Sequence, residues 1–385
     1  MVSILFVVAT AVTVSAVAAR QATQIIDSQS GTEGIQGVPE VLPGTAIPAP
    51  DAPSDILWTA SIAAAPITSP LFAGAYVVLS RQPGIIAAHR LADGVFVWQK
   101  ELQPGQQLAA DATMVFVPSG EAIHALRLTD GAVAWTAPAG TLTAPLLVQG
   151  GWVIATSAGK LMALRAADGT AVWTIDAPPP QSEAAAISGD TLFVPSTDGI
   201  VRARSLETGA NIWQHQLRGR PGEPVVAGDS VLVGASDKVL YKLSVTTGEE
   251  KWSYPVRASI RGRVATDGER VFVTALDNMV RALDLGSGAL KWQVGLAYRP
   301  LTGPVVAGST VFITGPGTDI EMRRALDGVA AGAVKFPARL AVPPGMRESE
   351  YGVAITAITG GLEESWQLLA TRAVRALPAT APRPK

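Results

Sequence analysis

An all-β fold, an eight-bladed β-propeller of four-stranded antiparallel blades, is predicted by three observations. A small or acidic residue, then Gly, three residues and Trp recur six times. The Trp residues of these copies are 37, 38, 40, 39 and 40 residues apart. Between them lie short Val-rich runs punctuated by Gly and Asp turns, so each period holds four strands. A period near 40 with four strands per unit is the sequence form of a propeller blade.

The elements follow in order. Residues 2–19 are nearly unbroken apolar sequence ending in the small residues Ala16, Val17 and Ala18. This reads as a secretory signal peptide, or as an uncleaved anchor, since about 18 apolar residues just reach spanning length. No basic residue precedes the run, which is atypical of a signal. Residues 20–54 are dominated by Pro, Gly, Ser, Thr and Gln and read as a disordered linker. The tail 378–385 has the same composition.

Residues 55–377 are assigned to the propeller. The copies are Asp93-Gly94 with Trp98, Asp130-Gly131 with Trp135, Asp168-Gly169 with Trp173, Thr208-Gly209 with Trp213, Thr247-Gly248 with Trp252, and Ser287-Gly288 with Trp292. Trp58 lies 40 residues before Trp98 and continues the series; Asp327-Gly328 continues it without its Trp. In each unit a short inner strand leads into a β-branched second strand (TLFVPS, SVLVGAS, RVFVTAL, TVFITG), then a third strand of alternating pattern (VRARSL, LYKLSV, VRALDL). The Gly turn then opens the Trp-bearing fourth strand. Full units run at about 66–101, 102–138, 139–177, 178–217, 218–257, 258–297 and 298–336. Trp58 sits on a fourth strand with no strands before it, and 337–377 offers three strands without a fourth. Joining the two closes the ring from both chain ends and removes an exposed edge. Seven blades is the alternative, because the sequence after Gly315 is irregular.

Gly at the turn suits positive φ, which β-branched residues resist. A Trp once per blade is best placed as a spacer between neighbouring blades, with its indole N–H on an acceptor. Structural blade docking is therefore assigned to Trp58, Trp98, Trp135, Trp173, Trp213, Trp252 and Trp292, with Gly94, Gly131, Gly169, Gly209, Gly248 and Gly288. Trp152 and Trp366 stand outside the repeat.

Composition narrows the chemistry. The chain has 30 Lys+Arg against 32 Asp+Glu, a net charge of −2, without the basic excess of a nucleic-acid-holding protein. It has no Cys, which removes disulfides, thiolate metal sites, a cysteine nucleophile and a lipid-modified N-terminal cysteine. Its three histidines are too few for a multi-histidine metal site. His89 and His124 occupy non-equivalent positions of their units and read as ordinary surface or turn residues. No nucleotide-binding or hydrolase motif is present. No catalytic, cofactor-binding or metal-ligating residue is singled out, since Asp93, Asp130, Asp168, Asp237, Asp277 and Asp284 mostly fall at turns.

The endings VRALDLGSGALKW (280–292) and LYKLSVTTGEEKW (240–252) resemble the pyrroloquinoline-quinone (PQQ) repeat. The likeness covers about 58–336, with a weak extension to 377, and is specific for quinoprotein-type eight-bladed propellers. It implies that the motif Trp residues dock the blades. Two kinds of protein share the repeat: dehydrogenases that hold PQQ and Ca²⁺ on the propeller axis, and non-catalytic scaffolds, among them the family of the outer-membrane assembly factor BamB. An export signal, a spacer and a ring with short turns resemble the second kind. The absent lipidation cysteine puts the tether in doubt, leaving a periplasmic protein or one held by residues 2–19. The expected function is thus an exported scaffold for protein–protein contacts in the cell envelope or outer-membrane assembly, without cofactor. The alternatives are a PQQ- and Ca²⁺-dependent oxidoreductase, and a membrane-tethered ligand or polysaccharide sensor.

One charge pattern stands out. Arg218, Arg220, Arg257, Arg261, Arg263 and Arg299 all fall between a Trp strand and the next blade. Such connections share one face of a propeller. The arginines are candidates for docking an acidic segment of an envelope partner, because Arg pairs bidentately with carboxylates. The plainer reading is solubilising charge in loops.

Overall fold

Eight sheets of four antiparallel strands form the computed structural model, which describes residues 54–177, 181, 183–260, 262–349, 352–360 and 366–374. The assignments for 1–19, for 20–54 up to residue 53, and for 378–385 lie outside the described residues. Blades 1 to 7 occupy 71–101, 109–138, 147–176, 186–216, 225–255, 265–295 and 305–335 in chain order. In blade 8, Gly345–Ser349 is innermost, followed by Gly352–Gly360 and Trp366–Val374. Its outermost strand is Ser54–Ile62, paired with Trp366–Val374 from Ser54 opposite Ala373 to Ile62 opposite Trp366. The chain ends therefore meet in one blade, and the count is eight.

The core consists of eight apolar layers, one between each pair of neighbouring blades, including blades 7 and 8 and blades 8 and 1. Both faces of every blade are thus covered. Ile200–Ser205 alternates as read, but the alternating reading is corrected at Val239–Ser244 and Met279–Asp284, which each bury four consecutive residues. A strand sandwiched between two blades has no solvent face to alternate toward.

The repeated motif resolves into three parts. The residue before Gly accepts the backbone N–H two residues on, from Asp93 with Val95, through Thr208 with Ala210, to Asp327 with Val329. That is the local hydrogen bond for which Asp, Thr and Ser are favoured in turns. The Gly has φ near +70°, as at Gly131 (+69°) and Gly248 (+73°). The Trp then follows a β-bulge, seen as a register shift just before it in every Trp-bearing outer strand.

Each Trp plugs into the following blade. Its indole N–H donates to a backbone carbonyl there: Trp58 to Leu91 (2.7 Å), Trp98 to Leu128 (2.7 Å), Trp135 to Ala166 (2.9 Å) and Trp173 to Leu206 (2.8 Å). Trp213 reaches Val245 (2.8 Å), Trp252 Leu285 (3.1 Å) and Trp292 Ala325 (2.9 Å). The six-membered ring lies on the turn Gly of that same blade. A Cβ on Gly94 would sit 2.3 Å from Trp58, and one on Gly131 2.5 Å from Trp98. Gly169, Gly209, Gly248, Gly288 and Gly328 are in like contact with Trp135, Trp173, Trp213, Trp252 and Trp292. So the motif Gly has two functions: a left-handed turn, and a floor without a side chain for its neighbour's indole.

The seven wedges serve seven of the eight junctions. At the eighth, between blades 7 and 8, the receiving turn would join the third and fourth strands of blade 8, which come from opposite chain ends. No turn Gly exists there, and Gly332 replaces Trp on the blade 7 outer strand. The cross-strand partner of Trp is Ala in six of the seven cases, as with Ala282 opposite Trp292; the exception is Lys242 opposite Trp252. Opposite Gly332 stands Met322, buried in the layer with Phe336, Leu340 and Leu369. Large and small have exchanged places. Met322→Ala is therefore expected to destabilise by about 2–5 kcal/mol through an unfilled cavity. Ala282→Met should cost about 1–3 kcal/mol through overpacking against Trp292. Chemical denaturation of both variants checks the pair; a neutral Met322→Ala would contradict it.

Candidate functional site

The two faces of the ring are distinguished by their turns. Where a connection leaves a fourth strand, its first amide bonds to the turn between strands two and three. Leu217 donates to Gly199 (2.8 Å), Val256 to Lys238 (2.8 Å) and Leu296 to Asn278 (2.7 Å). These turns and the blade-to-blade connections make up the connection face. The Gly turns bond instead to the turns between strands one and two, as Leu206 to Asp190 (2.8 Å) and Val245 to Asp229 (3.0 Å). They make up the opposite, turn face.

Leu217, Val256, Leu296 and Phe336 are buried anchors, and the residues after them are lifted to the surface. Arg218 and Arg220 (blade 4 to 5), Arg257 (5 to 6) and Arg299 (6 to 7) are exposed on the connection face. Among the described residues none of the four is in an ion pair. Arg257 has φ +70°, a turn conformation uncommon for a residue with a side chain. Arg263 is half exposed and pairs with Glu223 at 3.1 Å. Arg261 lies outside the described residues. Arg339, exposed on the connection from blade 7 to 8, extends the arc and was missed in the sequence. The signal was available: Phe336-Pro-Ala-Arg339 aligns on Leu296-Ala-Tyr-Arg299. Connections 63–70, 102–108 and 139–146 carry no charged residue at all. The cationic connections are thus confined to four consecutive junctions.

In blades 4, 5 and 6 the acid of the turn between strands two and three is engaged within its own sheet. Asp198 pairs with Arg202 at 2.7 Å, Tyr241 donates to Asp237 at 2.5 Å, and Asp277 pairs with Arg281. Burial and the Asp237 carboxylate push the Tyr241 phenol up to about 12, so it stays a donor. Tyr298 likewise is raised by burial and then by Glu321, to which it donates at 2.9 Å. Beside Arg257 a groove of about 420 Å³ opens between blades 5 and 6, lined by Tyr254, Pro255, Val256, Arg257, Arg281, Leu290 and Gln293. The Arg281 guanidinium there is held by Asp277, which leaves that of Arg257 to suit a carboxylate-bearing side chain.

Toward the inner strands, Glu183 and Glu223 have their carboxyls raised above the usual range. Burial is the main cause for both; the Glu223 charge adds to it at Glu183, while Arg263 opposes it at Glu223. A hard cation takes six to eight charged or carbonyl oxygens. Among the described residues no three His, Asp or Glu side chains converge as a metal needs. The motif indoles are all committed to blade junctions, with their N–H groups bonded. This donor set does not fit a Ca²⁺-bound quinone.

His89 corrects the surface reading: it is buried, and its Nδ1 lies 3.0 Å from the carbonyl of Gly94. Arg204 and Arg323 donate to the carbonyls of Gly209 and Gly328 from the same position of their blades. His89 thus steadies a socket turn, and burial lowers its pKa. His124 lies 3.1 Å from Thr136 on its own sheet. Trp366 packs on Gly360 within the layer between blades 8 and 1, and Trp152 against the layer between blades 3 and 4.

A family model described as outer membrane protein assembly factor BamB matches residues 82–223 and 217–339. Among curated proteins no sequence matches this chain. Of solved structures, BamB from Moraxella catarrhalis is similar over 83% of this chain and 99% of its own, with a TM-score of 0.67 and 18% identity. The computationally designed Ika8 protein is similar over 81% of this chain and 98% of its own (TM-score 0.67, 14% identity). Quinohemoprotein alcohol dehydrogenase from Comamonas testosteroni is similar over 85% of this chain and 78% of its own (TM-score 0.66, 11% identity). At such identities these likenesses establish the fold.

Proposed function

This chain belongs to the outer membrane protein assembly factor BamB family, and from that premise we propose that it is an exported, non-catalytic propeller that holds a protein partner in the cell envelope, in the assembly of outer-membrane proteins. The observation that carries the reading is the arc of exposed arginines on one face, of which Arg218, Arg220, Arg257 and Arg299 form no ion pair among the described residues. A rigid ring presents them at fixed spacing, so a partner meets them without ordering a loop. The partner segment is acidic, and the groove beside Arg257 takes one of its carboxylates. Residues 2–19 direct export and either leave the mature chain or anchor it.

The test is recovery of partners from envelope fractions with Arg218→Ala, Arg257→Ala and Arg299→Ala combined. Loss of three interfacial charge contacts is expected to lower recovery by about tenfold or more. The melting temperature should stay within about 2 °C, since exposed arginines contribute little to stability. Equal recovery by variant and parent would remove the arc from the function. The oxidoreductase reading is tested separately, by adding PQQ and Ca²⁺ to the purified protein and following quinone absorbance and dye-linked alcohol oxidation.

A further inference from the structure

We propose that the turn-face rim of blades 7, 8, 1 and 2 rests on a lipid bilayer, with its side chains in the interfacial layer. The observation is a concentration of exposed apolar side chains. Of the ten large hydrophobic residues exposed among the described residues, eight belong to these four consecutive blades. Blade 7 contributes Leu326, 68% exposed, and Val329. Blade 8 contributes Ile56 and Leu57, the latter on the bulge before Trp58. Val95, Phe96 and Val97 follow on blade 1, and Val133 on blade 2. All lie in the Gly turn or the first residues of an outer strand, so they share one height on the rim.

Blades 5 and 6, on the other side of the ring, carry charge at the same positions. Blade 5 has Glu249, Glu250 and Lys251 there, and blade 6 has Lys291 beside Leu290. Charge on an edge strand is the usual protection against unwanted pairing. The three residues after the turn Gly carry no charge in blades 1, 2 and 7 (Val95 to Val97, Ala132 to Ala134, Val329 to Ala331), and large exposed apolar patches mark contact surfaces.

Charge and connectivity select lipid as the occupant. The charged residues on the Gly turns of blades 1, 2 and 7 are neutralised in pairs: Arg90 with Asp93 (2.9 Å), Arg127 with Asp130 (3.0 Å) and Arg324 with Asp327 (2.5 Å). These three Gly turns therefore bring apolar area to the rim without net charge. Ser54–Ile62 runs from the turn face to the connection face, like every outer strand, so the preceding 53 residues join the ring at this rim. Those residues contain the apolar run 2–19, long enough to cross a hydrocarbon layer. The free backbone edges of the outer strands cannot enter hydrocarbon without loss of hydrogen bonding, so contact is confined to the headgroup boundary. The arrangement turns the arginine arc, on the other face, away from the lipid; it does not depend on what that arc binds.

The chain has no Cys, so single cysteines can be placed and labelled with an environment-sensitive fluorophore. Full-length Leu57→Cys, Phe96→Cys, Ile212→Cys and Leu290→Cys are mixed with phosphatidylcholine vesicles carrying brominated lipid. Labels at 57 and 96 are expected to shift to the blue and be quenched, equally with or without added phosphatidylglycerol, while labels at 212 and 290 stay unchanged. In Leu326→Cys, adding Leu57→Asp and Phe96→Asp should reduce quenching at 326 about threefold or more with the melt unchanged. Vesicle binding without change at 57 and 96 would overturn the proposal, as residues 2–19 would then act alone. So would equal shifts at all four positions, shifts only with phosphatidylglycerol, or shifts that grow with protein concentration in the absence of lipid.

Discussion

A chain lacking residues 54–62 is expected to lose the single cooperative melt of the closed ring. Those residues supply the outer strand of blade 8, and with it Trp58 and Ile62 of the layer against Val77, Leu79 and Ala87 of blade 1. Without them Trp366–Val374 becomes a bare edge, the Gly94 floor is empty, and the Leu91 carbonyl loses its indole donor. Loss of the Trp side chain alone costs about 3–5 kcal/mol, a large part of a typical stability of about 5–15 kcal/mol. Trp58→Ala should therefore lower the melting temperature by about 10 °C, and the deletion should lower it further or split the transition. Scanning calorimetry with gel filtration reads both effects. A deletion variant that melts as sharply and as high as the parent would show that blades 1 to 7 hold themselves together without the seam.

Gly131→Ala should destabilise by about 1–3 kcal/mol more than Gly189→Ala, the increment typical of overpacking. Both glycines have positive φ, +69° and +53°, so both variants suffer the left-handed strain of a side chain, about 1–2 kcal/mol. They differ in what the new methyl meets. At Gly131 it would lie 2.5 Å from Trp98, whereas at Gly189 nothing lies within 4 Å. The difference between the two isolates the wedge contact from the turn. Urea unfolding of both proteins measures it, and equal losses would reduce the motif Gly to a turn residue.

Much of this architecture was legible because its determinants are local. The turn acceptor, the left-handed Gly and the Trp span six residues, and their recurrence counted the blades. Trp58, standing before any first strand, located the seam. The third strands at 239–244 and 279–284 were misread because alternation presupposes a solvent face, and burial on both sides depends on blades some 40 residues away. His89 was misread for a similar reason: its partner, the Gly94 carbonyl, is near in sequence, but the blade that covers it is not. The arginine arc was half visible. Its members were countable, yet their lack of ion pairs was not, since Asp198, Asp237 and Asp277 had first to be seen engaged by Arg202, Tyr241 and Arg281.

The amino-acid sequence by itself determined that this protein is a ring of eight four-stranded blades, stitched from both chain ends, because turns and strand periods are set by residues within a few positions of one another. Only the tertiary structure decided which carbonyl each indole finds, about 30 residues ahead, and why blade 7 exchanges Trp for Gly332 and Ala for Met322. It also decided which arginines and which apolar side chains remain uncovered. Those outcomes depend on what closure of the ring brings alongside each blade, and contact across a closed ring is not a property of any one repeat.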